Sequence, residues 1–339
     1  MAKMKRRTFL KGGAVVALSA TAARADDFAL GLLPGTRYPD PRIEVLDKRF
    51  GAKIGNAGIE RIVTGLRWAE GPCWSADGHY LVVSDAPNNR IVRWLEEDGH
   101  VSNFRSPSSF ANGNTRDARG RLVTCEQQTR RVTRTEHDGT ITVLADKYDG
   151  KPFNAPNDVV VAKDGAVWFT DPGYGILNNY EGDKADAELP TRVYRIDGAS
   201  GALTIAADDM KMPNGLAFTL DQTQMYVVDS GAATLRLYDV DTGGGAPKLA
   251  RGKVFANFAP GLTDGVRLDT DGHVWCSMGW GPPGEDGVRC YAPDGTLIGK
   301  IHLPETTANL CFGGRKKNRL FIAASTSVYA VYVNAVGAA

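Results

Sequence analysis

The chain has 339 residues, enough for a large buried core that needs no disulfide or metal staple. Its 40 basic and 39 acidic residues leave a formal net charge of +1, which excludes an overall field drawing it to nucleic acid or to an anionic membrane. A small neutral or mildly polar ligand fits that balance better.

Residues 1–25, MAKMKRRTFLKGGAVVALSATAARA, combine a basic start, a short apolar stretch and small residues before Asp26, and read as an export signal. Arg6 and Arg7, followed by Thr8, Phe9, Leu10 and Lys11, resemble a twin-arginine signal, with Ala23-Arg24-Ala25 as the cleavage site. The apolar run is far shorter than the roughly 20 residues that span a bilayer, so no stable membrane insertion is expected. The expectation is a periplasmic protein, delivered folded by the twin-arginine machinery. Residues 26–339 then form one domain, with residues 26–60 as an extension that packs on or closes it. Five cysteines, Cys73, Cys125, Cys276, Cys290 and Cys311, contain no C-x-x-C pair. No zinc ribbon is encoded; they read as core-filling thiols, with one periplasmic disulfide left open.

Beyond the leader, short apolar runs alternate with Asp-Gly and Asn-Gly turns and no long stretch has the helical period, so the chain is all-β. One unit recurs. Its copies are EGPCWSADGHYLVVSD from Glu70, NGNTRDARGRLVTCE from Asn112, NDVVVAKDGAVWFTD from Asn157, NGLAFTLDQTQMYVVD from Asn214 and DGVRLDTDGHVWCSM from Asp264. A weaker sixth copy, NLCFGGRKKNRLFIAA, starts at Asn309. Successive heads lie 42, 45, 57, 50 and 45 residues apart, the length of a four-stranded blade with its loops. The expected fold is a six-bladed β-propeller with a central channel.

In a propeller the innermost strand of each blade starts near the axis, so the six heads converge. All six carry side-chain oxygen: Glu, Asn, Asn, Asn, Asp and Asn. Oxygen donors without His or Cys suit a hard cation such as Ca²⁺, Mg²⁺ or Mn²⁺, and the two carboxylates would balance a divalent charge. Asx residues also start strands merely as turn formers, but Glu does not. The five histidines, His79, His100, His137, His273 and His302, show no metal spacing, and no G-x-S-x-G nucleophile elbow occurs.

The runs EGPCW, PNDVVVAKDGAVWFTDPGYG, MPNGLAFTLDQTQMYVVDS, TDGVRLDTDGHVW, GVRCYAPDGTLIGKI and ANLCFGG, in this order, resemble the gluconolactonase and senescence-marker-protein (regucalcin) family, in its bacterial branch. The resemblance implies one divalent cation in the channel, Ca²⁺ first, with Mg²⁺, Mn²⁺ or Zn²⁺ as alternatives. It places Glu70, Asn157, Asn214 and Asp264 as ligands, with Asp264 also as general base. The implied reaction is hydrolysis of a small-molecule sugar lactone to the aldonic acid. Asn112 and Asn309 become ring members outside the ligand set. Asn112, Glu126, Asn154, Tyr174 and Trp280, with Arg130, are candidates for substrate contact, against ion pairing for Arg130 and blade packing for the aromatics. The chain departs from the animal branch, with Ala155 where that branch has an Arg, and from many bacterial relatives, with Gln127 in place of His. Two other readings stay open: a paraoxonase-like esterase or lactonase acting on a non-sugar substrate, and a non-catalytic periplasmic ligand-binding propeller.

Overall fold

Each apolar run, split by a tight Asp-Gly turn, folds back on itself as an antiparallel pair, as in Val159–Val161 against Val167–Asp171. Gly165 supplies the left-handed backbone (φ 84°) that the intervening turn requires. The computed structural model describes residues 31–32 and 36–338; the leader expected at residues 1–25 lies outside the described residues.

Four such strands make a blade. Blade one runs Ala69–Ser75, Tyr80–Asp85, Arg90–Leu95 and Val101–Arg105. Blade two follows as Ala111–Arg116, Leu122–Glu126, Arg131–Thr135 and Ile141–Ala145. Blade three comprises Val159–Val161, Val167–Asp171, Arg192–Ile196 and Leu203–Ala207. Blade four comprises Pro213–Phe218, Gln224–Asp229, Thr234–Asp241 and Lys248–Asn257. Blade five runs Leu262–Leu268, Val274–Gly279, Gly287–Tyr291 and Leu297–His302, extended at its edge by Ile43–Val45.

Blade six is built from both ends of the described chain. Thr307–Gly313, Arg319–Ala324 and Ser327–Tyr332 supply its first three strands, and Glu60–Thr64 pairs antiparallel with the last of them. This closes the six-bladed ring. The core consists of apolar layers between neighbouring blades. Trp168, Leu216 and Val227 fill the seam of blades three and four, and Trp275, Leu310 and Ile322 that of blades five and six. Ile43, Phe50 and Ile59 add the segment ahead of blade one to the latter layer. All five cysteines are buried free thiols.

Just after the head, four of the six blades have room for backbone only. The residue after the head is Gly71, Gly113, Gly215 and Gly265 in blades one, two, four and five. A methyl on Gly215 would collide with the Asp264 carbonyl, and one on Gly113 with the Asn157 carbonyl, which already accepts a hydrogen bond from Gly113 N at 2.8 Å. Each glycine therefore lets one blade's inner strand lie directly against the next blade's head.

Gly215→Ala should lower thermal stability by about 1–3 kcal/mol through overpacking and displace Asp264. Gly51→Ala, at a site with ordinary backbone and nothing within 4 Å, is the control and should be near neutral. Equal melting temperatures for the two variants would refute the tight-axis account.

Candidate active site

Each head is turned toward the channel by a local break in the ladder between the first two strands of its blade. The register shifts between Glu70 and Cys73, Ala111 and Asn114, Pro213 and Leu216, Thr263 and Val266, and Thr307 and Asn309. Such bulges re-aim side chains that a regular pleat would send into the blade seams. In blade three the regular strand begins only at Val159, and Asn157 lies just ahead of it, its N–H donating to Thr170 O at 2.8 Å.

A second device fixes the approach to the head. The aspartate ending the second strand accepts backbone N–H groups from the segment before the head of its own blade. Asp171 accepts from Asn154 N and Ala155 N at 2.9 and 2.8 Å, Asp229 from Lys211 N and Met212 N at 3.0 Å each, and Asp85 from Arg67 N at 2.9 Å. The repeated Asp of SD, TD and VVD is thus a clamp on the head's backbone.

The channel these devices create is acidic and buried. Glu70, Asp158 and Asp264 are all buried. Burial first, then the negative charges of Asp158 and Glu181, push the Glu70 carboxyl up to about 8. Burial, with Glu70, Asp158 and Glu181 adding repulsion, pushes Asp264 well above the usual carboxylate range. Glu70 Oε2 accepts from Gly71 N at 3.0 Å and from Asn309 Nδ2 at 3.4 Å, and Asn309 Nδ2 also lies 3.5 Å from Asp158 Oδ2. Among the described residues a single cation answers these charges: an Arg267 terminal nitrogen 3.4 Å from Asp158 Oδ2. Asn214 donates to Ser230 Oγ at 3.1 Å, leaving its own buried Oδ1 without a partner.

The 20-residue connection from Asp171 to Arg192 passes over this end of the channel and accounts for the longest spacing between heads. Its short 3₁₀ turn, Tyr174–Ile176, puts the half-buried Tyr174 phenol against Ser230 and Asn214 and near Asp264. Burial pushes that phenol up to about 12, so it stays a neutral donor. Gly175 rests on the side chain of Gln127, where no β-carbon would fit.

Of the residues expected to touch substrate, Asn112 and Asn154 are buried with unpartnered side-chain atoms: Oδ1 of Asn112, and both Oδ1 and Nδ2 of Asn154. Trp280 is half exposed on the loop after the second strand of blade five and packs on Trp68 at 5.5 Å between ring centroids. Glu126 corrects the expectation. It is buried in blade two, with Arg105 at 3.0 Å and Thr133 at 2.9 Å on one oxygen and Arg131 and Thr129 at 2.6 Å on the other. Four donors saturate it, which makes it a strut and not a pocket wall. Arg130 is also inward-braced, its Nε donating to the carbonyls of Phe153 and Asn154.

Sequence reasoning missed Asp158, Glu181, Trp68 and the role of Gln127. Gln127 is fully buried, yet neither its Oε1 nor its Nε2 has a partner. Polar atoms stranded in this way are rare away from ligand sites. A second oxygen-rich group, Asp269, Asp271 and His273, sits in the turn between the first two strands of blade five, at the opposite end of those strands from the heads. There Asp269 already accepts from Asp271 N, His273 N and Trp275 Nε1 at 2.9–3.0 Å, as a turn former does. The axial group fits a cation better: two destabilised carboxylates, a stranded amide oxygen and no compensating charge of their own.

Residues 68–326 match the family described as SMP-30/Gluconolactonase/LRE-like region. A gluconolactonase from Zymomonas mobilis is 33% identical over 302 residues, covering 82% of each chain. A 6-deoxy-6-sulfogluconolactonase from Pseudomonas putida is 28% identical over 76% of this chain and 82% of its own. The solved structure of a gluconolactonase from Xanthomonas campestris superposes with a TM-score of 0.79 at 34% identity, covering 86% of this chain and 94% of that one. The aligned span contains all six heads and the three clamping aspartates, Asp85, Asp171 and Asp229, and the chain belongs to the SMP-30/gluconolactonase family.

Proposed function

We propose that this protein is a cation-dependent lactonase that opens a neutral sugar lactone to its hydroxy acid in the periplasm. The observation that carries the reading is the axial pair Glu70 and Asp264: two buried carboxylates facing each other without an internal cation, ringed by amides with unpartnered oxygens. A divalent cation held by Glu70, Asn157, Asn214 and Asp264 would polarise the lactone carbonyl and offset the repulsion that otherwise keeps Asp264 protonated.

The chain's own groups then divide the work. Asp264 takes a proton from the water that attacks the carbonyl carbon and returns it to the ring oxygen as the ring C–O bond breaks, so that oxygen leaves as a hydroxyl. Tyr174, kept neutral by burial, offers an O–H donor beside Asp264. Asn112, Asn154 and Gln127 offer donors and acceptors that a polyhydroxylated ring can satisfy and an apolar ester cannot. This division favours a sugar lactone over a non-sugar ester.

Asp264→Asn should reduce lactone hydrolysis by about 10²- to 10⁴-fold, the range of a general base, while cation still raises the melting temperature. Glu70→Gln should instead weaken cation affinity and recover partly at high cation concentration. Parental rates from Asp264→Asn with cation bound would remove the base assignment.

The protonation of the cation-free site gives a pH test. Glu70 and Asp264 hold protons in the folded state to higher pH than in the unfolded chain, so the folded state binds more protons and stability falls as pH rises. For Glu70 the window runs from the ordinary glutamate range up to about 8. Chelated protein should therefore melt progressively lower across it, and Ca²⁺ should flatten the slope; a pH-independent melting temperature in chelator would contradict the site electrostatics.

Periplasmic delivery is tested by changing Arg6 and Arg7 to Lys, which should hold precursor in the cytoplasm because the arginine pair is what the export receptor reads. Undiminished periplasmic protein would rule the route out.

A further inference from the structure

The loop of residues 172–191 carries Glu181, Asp183, Asp186 and Glu188 against one base, Lys184. Most of its charges look outward. Asp183 accepts from Gln128 Nε2 at 3.0 Å, and Glu188 lies 3.6 Å from Arg130. Glu181 differs: it is half-buried, makes no hydrogen bond or ion pair among the described residues, and acts on both Glu70 and Asp264 through space. Its position is pinned from both sides. Gly182 packs on the Gly175 carbonyl so closely that no side chain fits, and Ala185 N donates to Ile176 O at 3.1 Å.

The charges of the site can be assigned. Glu70 and Asp264 balance a divalent cation, and Asp158 has Arg267. Glu181 is left over. We propose that Glu181 is a charge-selective specificity residue, an unpaired carboxylate over the channel mouth that admits neutral lactones, disfavours anionic ones and hastens departure of the anionic hydroxy acid. This rests on the lactonase reading, because it uses the one change in charge that the reaction makes: a neutral ester becomes a carboxylate. Burial pushes the Glu181 carboxyl up to about 6, so the charge is present at pH 7.5. Repulsion across a partly wet site of this size corresponds to a discrimination on the order of 3- to 10-fold.

The test compares the parent chain with Glu181→Gln and Glu181→Asp, all loaded with Ca²⁺, at pH 7.5. D-glucono-1,5-lactone and its 6-phosphate serve as neutral and anionic substrates, and D-gluconate as product inhibitor. Glu181→Gln should raise the ratio of kcat/KM for the anionic over the neutral lactone about 3- to 10-fold and lower the Ki of gluconate by a similar factor. Both effects should shrink at high salt, where the screening length falls to about 3 Å at 1 M. Glu181→Asp should keep the parental pattern. An unchanged ratio and Ki overturn the proposal. So does a Glu181→Gln variant whose KM for the neutral lactone rises together with Ki, because that is the signature of a lost hydroxyl contact and not of lost repulsion. A parent chain that opens neither lactone brings down the lactonase reading itself, and this inference with it.

Discussion

Six inner strands converge on one axis until backbone touches backbone, and the rest of the molecule follows from that approach. With no space for β-carbons after the heads, glycine fills the position in four blades. With no regular ladder at the same level, the strands bulge and present the heads inward. The same closeness expels water from carboxylates that would otherwise be hydrated. Steric crowding at the axis thus becomes electrostatic tension at the site.

Blade three departs from the pattern. Where four other blades carry glycine it has Asp158, and where their inner strands are long its own has only three residues. The carboxylate that occupies the freed space meets Arg267 from blade five and Asn309 from blade six, so the channel below the heads is crossed by a polar contact and not by an apolar plug. The long connection in the same blade supplies Tyr174 and Glu181. One irregular blade provides a polar floor and part of the cover in addition to its own head, Asn157.

The architecture and the six heads were legible because propeller blades repeat, and a residue that recurs at one place in each repeat converges in space. The clamping aspartates were also visible as SD, TD and VVD, though their work as acceptors for backbone N–H groups before the heads was not. Glu126 misled because a carboxylate beside a loop looks the same in sequence whether it faces a ligand or four donors; only the positions of Arg105, Arg131, Thr129 and Thr133 decide it. Gln127, Asp158 and Glu181 were hidden for the opposite reason. Gln127 and Glu181 lie outside the repeat and Asp158 departs from its usual glycine, and each matters only through what a loop or neighbouring blade places next to it.

The seam in blade six joins Thr64 to Ser327, 263 residues apart along the chain. During synthesis the first five blades can fold in turn, each covering the apolar face of its predecessor, but the ring stays open until the last strands emerge. Until that moment Glu60–Thr64 is paired only with the two-residue strand Gly31–Leu32 and not with Ser327–Tyr332, and two apolar faces stand uncovered. A nascent chain of this design is most exposed to misassociation just before it is finished, and closing one long-range seam protects every blade at once. Export of the finished ring would keep that vulnerable interval on the side of the membrane where the chain is made.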